Sequence, residues 1–315
     1  MASDYSISVI IPTRNGGSTL PELLAMLRQQ SILLDDIHVA DSASADDTLK
    51  IAESCQAKIT LIDPKKFDHG GTRSLMAEKT AGDIIIYFTQ DAVPASRDCI
   101  EKLLIPFRDH RVAVCYGRQL PDFKANYSAA ELRKFNYGAK SAVRSFADRH
   151  QYGLKTIFAS NSFAAYRRTA LAEVNYFKDN LIFGEDAEIV GRLLKIGYKS
   201  AYVAEARVYH SHNYTYLEEL RRSFDLGVFH AMESWLLETY GTAEGIGREY
   251  VLRQLAGLIK NRHPILLADS LWRNACKYAG YKVGRRYKLL PGQIIRQLSM
   301  NRNWWDKKIL KNNKL

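Results

Sequence analysis

The 315-residue chain contains no run of 18 apolar residues, which excludes an ordinary membrane-spanning helix. Its opening, MASDYSISVIIPT, lacks a basic stretch and a cleavage site, so no signal peptide is expected. Cysteine is scarce. Cys55, Cys99, Cys115 and Cys276 are far apart and form no CxxC pair, which argues against a structural zinc and a disulfide framework and fits a reducing cytoplasm. No glycine turn is followed by GK[ST], so there is no Walker loop. Helix-turn-helix, zinc-finger and RNP signatures are missing, and so are internal repeats and low-complexity tracts. Acidic residues run short in one place only. Residues 1–247 carry 29 Lys and Arg against 31 Asp and Glu, whereas residues 248–315 carry 16 against 3. The net charge of +11 therefore sits in a tail, where it attracts an anionic surface or polyanion.

What is present is an alternation of short apolar runs and amphipathic stretches. Strands are predicted at residues 5–11, 37–40, 58–62, 83–88 and 112–116, with Pro12 ending the first. Helices are predicted at 18–30, 46–55, 72–79, 98–107, 129–147, 187–196, 216–239 and 244–261, and extended chain at 156–166 and 204–209. This order predicts an α/β fold with a mostly parallel sheet covered by helices. Thr13, Asp41 and Asp91 then fall at the C-terminal ends of strands, where ligands bind in such sheets.

Several polar clusters can carry chemistry. Asp41, opening the segment DSASAD, can accept a hydrogen bond from a ribose hydroxyl or a pyrimidine imide. The alternative is an ordinary loop residue before a helix capped by Ser44 or Asp46. Asp91 follows the most apolar strand and suits a divalent cation bridging to a diphosphate, although turn aspartates are common. In DHGGTR (68–73) the two glycines allow close backbone approach before a helix, and Arg73 can add a phosphate contact. Glu185 and Asp186 precede the 187–196 helix, where acids also favour the helix dipole. One of them can serve as a general base. His210 and His212 share a face if their strand continues, and either can be a metal ligand.

In order, VIIPTRN, DSASAD, DHGGTR, TQDA, SNSFAAYRR, GEDAE and YHSHNY resemble the inverting family 2 glycosyltransferases, and more narrowly the bacterial rhamnosyltransferases of surface polysaccharides. The resemblance covers about residues 5–215. It implies a GT-A fold, a Rossmann-like, mostly parallel central sheet with flanking helices. Residues 1–215 would be the catalytic domain and 216–315 a basic helical C-terminal region. It implies that Thr13, Arg14, Asp41, Arg73 and Gln90 hold the nucleotide donor. Asp91 with His210, or His212, would bind Mg²⁺ or Mn²⁺. Asp186 would be the base, and Asn161, Arg168 and Glu185 would border the sugar and acceptor. Thr89 stands where the family's Asp-x-Asp pair has its first acid, and Ser74 where related segments have Asn. The implied reaction is one in-line displacement. A dTDP-β-L-rhamnose donor, or another nucleotide sugar, would glycosylate a lipid-diphosphate-linked acceptor, with inversion.

The implied setting is cytoplasmic, peripheral on the inner face of the membrane. The tail would bind there, because its Arg and Lys mix with Trp272, Tyr278, Tyr281, Tyr287, Trp304 and Trp305. A solvated face or a subunit contact is the plainer reading of that tail, and the oligomeric state stays open. A nucleic-acid-binding protein is the rival class, but no such partner is expected because the catalytic half is not basic. A nucleotidyltransferase would need a glycine-rich basic loop after the first strand, and Thr13–Gly17 matches that poorly.

Overall fold

The computed structural model describes residues 5–312. Strands are β1 (Ile7–Thr13), β2 (Asp36–Asp41), β3 (Lys58–Leu61), β4 (Ile84–Phe88), β5 (Val93–Pro94), β6 (Val112–Leu120), β7 (Ala142–Arg144), β8 (Phe163–Arg167) and β9 (Lys199–Tyr209). Helices before the last strand are α1 (Leu20–Arg28), α2 (Thr48–Ser54), α3 (His69–Glu78), α4 (Cys99–Leu104), α5 (Tyr127–Asn136), α6 (Arg149–Tyr152), α7 (Arg168–Glu173) and α8 (Glu185–Lys195). After it come α9 (Tyr216–Met232), α10 (Ser234–Tyr240), α11 (Ala243–Lys260), α12 (Pro264–Arg285), α13 (Gly292–Leu298) and α14 (Arg302–Asn312).

The strands form one sheet in the order β3-β2-β1-β4-β8-β6-β9-β5, with β7 also on β9. Neighbours pair in parallel except where β8, β5 and β7 run against their partners. Every residue of β4 is buried, as expected for a central strand covered on both faces. Alternation along β1 sends Ile7, Val9 and Ile11 into one core with Leu20, Leu24 and Phe107, and Ile10 into the other with Tyr87, Tyr166 and Leu193. That second core also takes Phe224, Phe229, Tyr240, Tyr287 and Trp305, so the helices after residue 215 pack into the sheet's own interior. No helix among the described residues is long and apolar enough to cross a membrane.

Several elements differ from expectation. Pro12 lies inside β1, because the β1–β4 ladder ends at Ile10 and Pro12 pairs with β2 alone. The helix expected over 129–147 stops at Asn136. Residues 142–144 instead take up the free edge of β9, with Tyr202 Oη donating to Gly138 O at 2.6 Å. Extended chain over 156–166 narrows to β8, after a turn that projects Asn161. The helix expected over 216–239 breaks at Glu233. The one expected from residue 72 begins at His69 and includes both glycines.

Candidate active site

The C-terminal ends of β1, β2, β4, β6 and β9, together with the start of β8, share one edge of the sheet. At its β1–β2 side, Thr13 pairs with Asp41. The 13–17 and 41–48 loops are laced together: Asn15 N–H donates to Ser44 Oγ at 2.8 Å, and Gly17 N–H to Asp46 Oδ2 at 2.9 Å. Asp41 is fully buried and its carboxylate accepts the Ser44 N–H at 3.0 Å. Arg14 is exposed, and its backbone N–H donates to Gln90 Oε1 at 2.9 Å while Gln90 Nε2 donates back to Arg14 O. Gln90 ties this edge to its chain neighbour Asp91.

Asp91 meets both histidines, His210 Nε2 at 3.4 Å and His212 Nε2 at 3.8 Å. Ligand atoms of the three residues lie within 4.8 Å of one another. His210 is buried. Its Nδ1 donates to Gln119 Oε1 at 2.9 Å, and Gln119 Nε2 in turn donates to Ser160 Oγ. That bond leaves Nε2 as the lone-pair nitrogen, buried without a hydrogen-bond partner and aimed at a carboxylate. Two electron-rich atoms facing each other need positive charge between them, so the donor set fits a divalent cation. Burial pulls the His212 imidazole down to about 4, so it is neutral at pH 7.

A cleft of about 950 Å³ runs from these histidines to the start of α8. Gly184 takes a left-handed conformation (φ +76°) at the N-cap and turns Glu185 and Asp186 into it. Glu185 Oε1 sits 2.9 Å from Arg73 Nη1 and accepts a long hydrogen bond (3.4 Å) from Asn161 Nδ2. Tyr166 Oη donates to Asn161 Oδ1 at 2.7 Å. Burial works to raise Glu185, but the Arg73 guanidinium beside it holds the carboxyl below its ordinary value. Asp186 has no such cation in contact among the described residues. Burial first and the Glu185 charge second push its carboxyl up to about 7. The adjacent acids thus differ in how readily they take up a proton, Glu185 less and Asp186 more than an ordinary carboxyl.

A family model described as "Glycosyl transferase family 2" matches residues 8–174. The chain belongs to glycosyltransferase family 2. This glycosyltransferase is 43% identical to the O-antigen chain rhamnosyltransferase RfbN of Salmonella typhimurium over 95% of its own length and 96% of that protein. It is 38% identical to the O-antigen chain rhamnosyltransferase WbaN of Salmonella anatum over 96% of each. Among solved structures it resembles the Pyrobaculum calidifontis mannosyltransferase PcManGT in complex with GDP-Man and Mn²⁺. The TM-score is 0.57 at 16% identity, covering 98% of this chain and 87% of that one. The fold is GT-A, as the sequence resemblance implied.

Set against the family expectation, the glycosyltransferase gathers both histidines, Asn161, Glu185 and Asp186 round one cleft, with Asp91 against the histidines and Thr13, Arg14, Asp41 and Gln90 along the adjoining edge. Arg73 lines the cleft, where it pairs with Glu185 and donates to His69 O at 2.9 Å. One arginine stands elsewhere than expected. Arg168 lies at the opposite end of β8, where its guanidinium donates to Gly82 O, Ala77 O and Thr80 Oγ1. The Gly-Gly pair forms the first turn of α3. Its N-terminus is capped by Asp68, which accepts the Gly71 N–H at 2.7 Å. A Cβ on Gly70 would come within 2.0 Å of Lys178 O, so that glycine admits another stretch of backbone and not a phosphate. Gln119, which orients His210, was missed, since nothing in the sequence separates it from other polar strand residues.

Proposed function

We propose that the glycosyltransferase moves L-rhamnose from dTDP-β-L-rhamnose to a hydroxyl of a lipid-diphosphate-linked glycan in O-antigen synthesis, inverting the anomeric carbon. The observation that carries this reading is the 43% identity to an O-antigen chain rhamnosyltransferase across nearly the whole of both chains. Asp186 accepts the proton of the attacking hydroxyl, a task suited to a carboxylate whose basicity has been raised toward neutrality. Glu185 stays charged against Arg73 and, with Asn161, borders the sugar and acceptor. Thr13, Arg14, Asp41 and Gln90 receive the nucleotide. Asp91, His210 and His212 hold a divalent cation, which supplies charge to the departing diphosphate. Two imidazoles in the set favour Mn²⁺ over Mg²⁺.

A thermal-shift series tests the donor. With Mn²⁺ present, dTDP-rhamnose at about 100 times its Kd stabilises the fold by about 2.7 kcal/mol. A larger shift from a different nucleotide sugar reassigns the donor. Release of pyrophosphate instead of a nucleoside diphosphate on turnover overturns the transferase reading altogether.

The acceptor's lipid brings the enzyme to the inner leaflet, and α12 offers the surface. Its buried side is Ser270, Gly280 and Gly284, while Ile265, Leu271, Trp272 (60% exposed), Tyr278 and Val283 face outward. This inverted helix carries an apolar stripe about 27 Å long, with Arg262, Lys282, Arg286 and Lys288 near its ends. An anionic bilayer complements both the stripe and the charge. A second copy there would set one block of like charge against another. In flotation with vesicles containing anionic lipid, the intact protein rises and the variant Trp272→Ser/Tyr278→Ser does not. Equal flotation of the two sinks the docking reading.

A further inference from the structure

Asp225, on α9, is buried, and its carboxylate gathers three donors from the link between α13 and α14. Ser299 Oγ lies at 2.6 Å, Met300 N–H at 3.0 Å and Asn301 N–H at 3.3 Å. The link reaches further. Asn301 Nδ2 donates to Ile182 O at 2.8 Å, and Ile182 is buried four positions before Asp186. Met300 and Asn301 themselves line the cleft. Along α14, Lys307 Nζ donates to Phe67 O at 2.6 Å, next to Asp68, which caps the helix that carries Arg73. The buried Trp305 ring, 5.6 Å from that of Tyr287, seats α14 against the core. One short segment near the end of the chain therefore grips the stretches that lead into α3, which carries Arg73, and into α8, which opens with Glu185 and Asp186.

We propose that residues 299–307 are a brace that holds the 181–184 loop ahead of α8, and the 67–68 entry to α3, in their working geometry, with Asp225, Asn301 and Lys307 as positioning residues. The proposal rests on Asp186 being the base. Gly184 gives that loop a pivot with little stiffness of its own. Asn301 anchors the buried Ile182 carbonyl on the near side of the pivot, and α8 anchors the far side. Without the amide donor, the Ile182 carbonyl is left unpaired in the interior and the loop shifts to find another partner. A displacement of about 1 Å at the reacting groups costs on the order of 100-fold in rate.

The experiment is Asn301→Ala in the full-length protein, assayed by turnover of dTDP-rhamnose with Mn²⁺ and by amide hydrogen exchange. The brace predicts a fall in kcat of about 10- to 100-fold with donor KM nearly unchanged, and faster exchange at residues 182–187 while β4 keeps its protection. Unchanged kcat, or a loss accompanied by an equal rise in KM, overturns it. Lys307→Ala, which leaves the Asp225 cluster intact, is the second variant should the first fold poorly. It predicts faster exchange at residues 67–73, and normal exchange there overturns the proposal. Hydrogen exchange does not depend on the chemistry. If Asp186→Asn retains turnover, the base assignment fails and the exchange data still judge the brace.

Discussion

At the residue scale, two adjacent carboxylates in the cleft have different surroundings. Glu185 has Arg73 against it, and Asp186 has burial and the Glu185 charge. Asp186 holds its proton more tightly folded than unfolded. The stabilising contribution of its neutral form is therefore complete below about pH 4 and is lost as pH rises toward about 7. Turnover has the opposite dependence, rising with pH through that range as the carboxyl ionises. Asp186→Asn is expected to lower kcat by at least about 1,000-fold, to keep nucleotide binding, and to raise Tm at pH 8 by a few degrees. Rate and calorimetry on the same preparation check both halves. His210→Ala is expected to weaken Mn²⁺ binding by at least about 10-fold, read by titration in the presence of dTDP. Gln119→Leu should do so less, through the lost orientation of the ring. Asp91 stood out because it follows the most apolar strand, the acids at 185–186 because they pair ahead of a helix, and the histidines because they alternate after a strand-like run. The partners of Arg73 and Arg168 did not, because a guanidinium on a long stem takes whichever acceptor the tertiary fold brings near.

At the element scale, the apolar strands declared themselves and the segments between them did not. β4 reads as a buried strand from IIIYF alone, and its place beside β1 follows from the alternation with helices. β7 has no such signature. AVR becomes a strand because β9 has an edge to fill. Nor does the pattern of α12 reveal that its glycines are the packed side. A Cβ on Gly284 would come within 2.1 Å of Phe224 O, and one on Gly280 within 2.2 Å of Leu220 O, so α9 and α12 touch backbone to backbone. Gly284→Ala is therefore expected to cost about 1–3 kcal/mol, seen as a fall in Tm, even though alanine is the better helix former.

At the scale of the whole molecule, the charge asymmetry of the sequence maps onto helices that are part of the fold. Residues 216–312 lend Phe224, Phe229, Tyr287 and Trp305 to the core beside the sheet and form one wall of the cleft. Their removal would expose that core. The test of membrane docking is therefore a set of surface substitutions in an intact chain. Binding to anionic vesicles should weaken steeply as salt rises from 0.05 to about 0.5 M, as the Debye length contracts, while the thermal stability of the protein hardly changes. Binding insensitive to salt would assign the attachment to the apolar stripe alone.

The glycine contact between α9 and α12 leaves no cushion of side chains through which the two helices could roll or slide. If α12 lies on the bilayer, the mouth of the cleft stands at a set height and tilt above the lipid, as in a jig. A glycan shorter than that stand-off could not present its terminal hydroxyl to Asp186, however well its last sugar suited the site. The chain would then select its acceptor partly by reach.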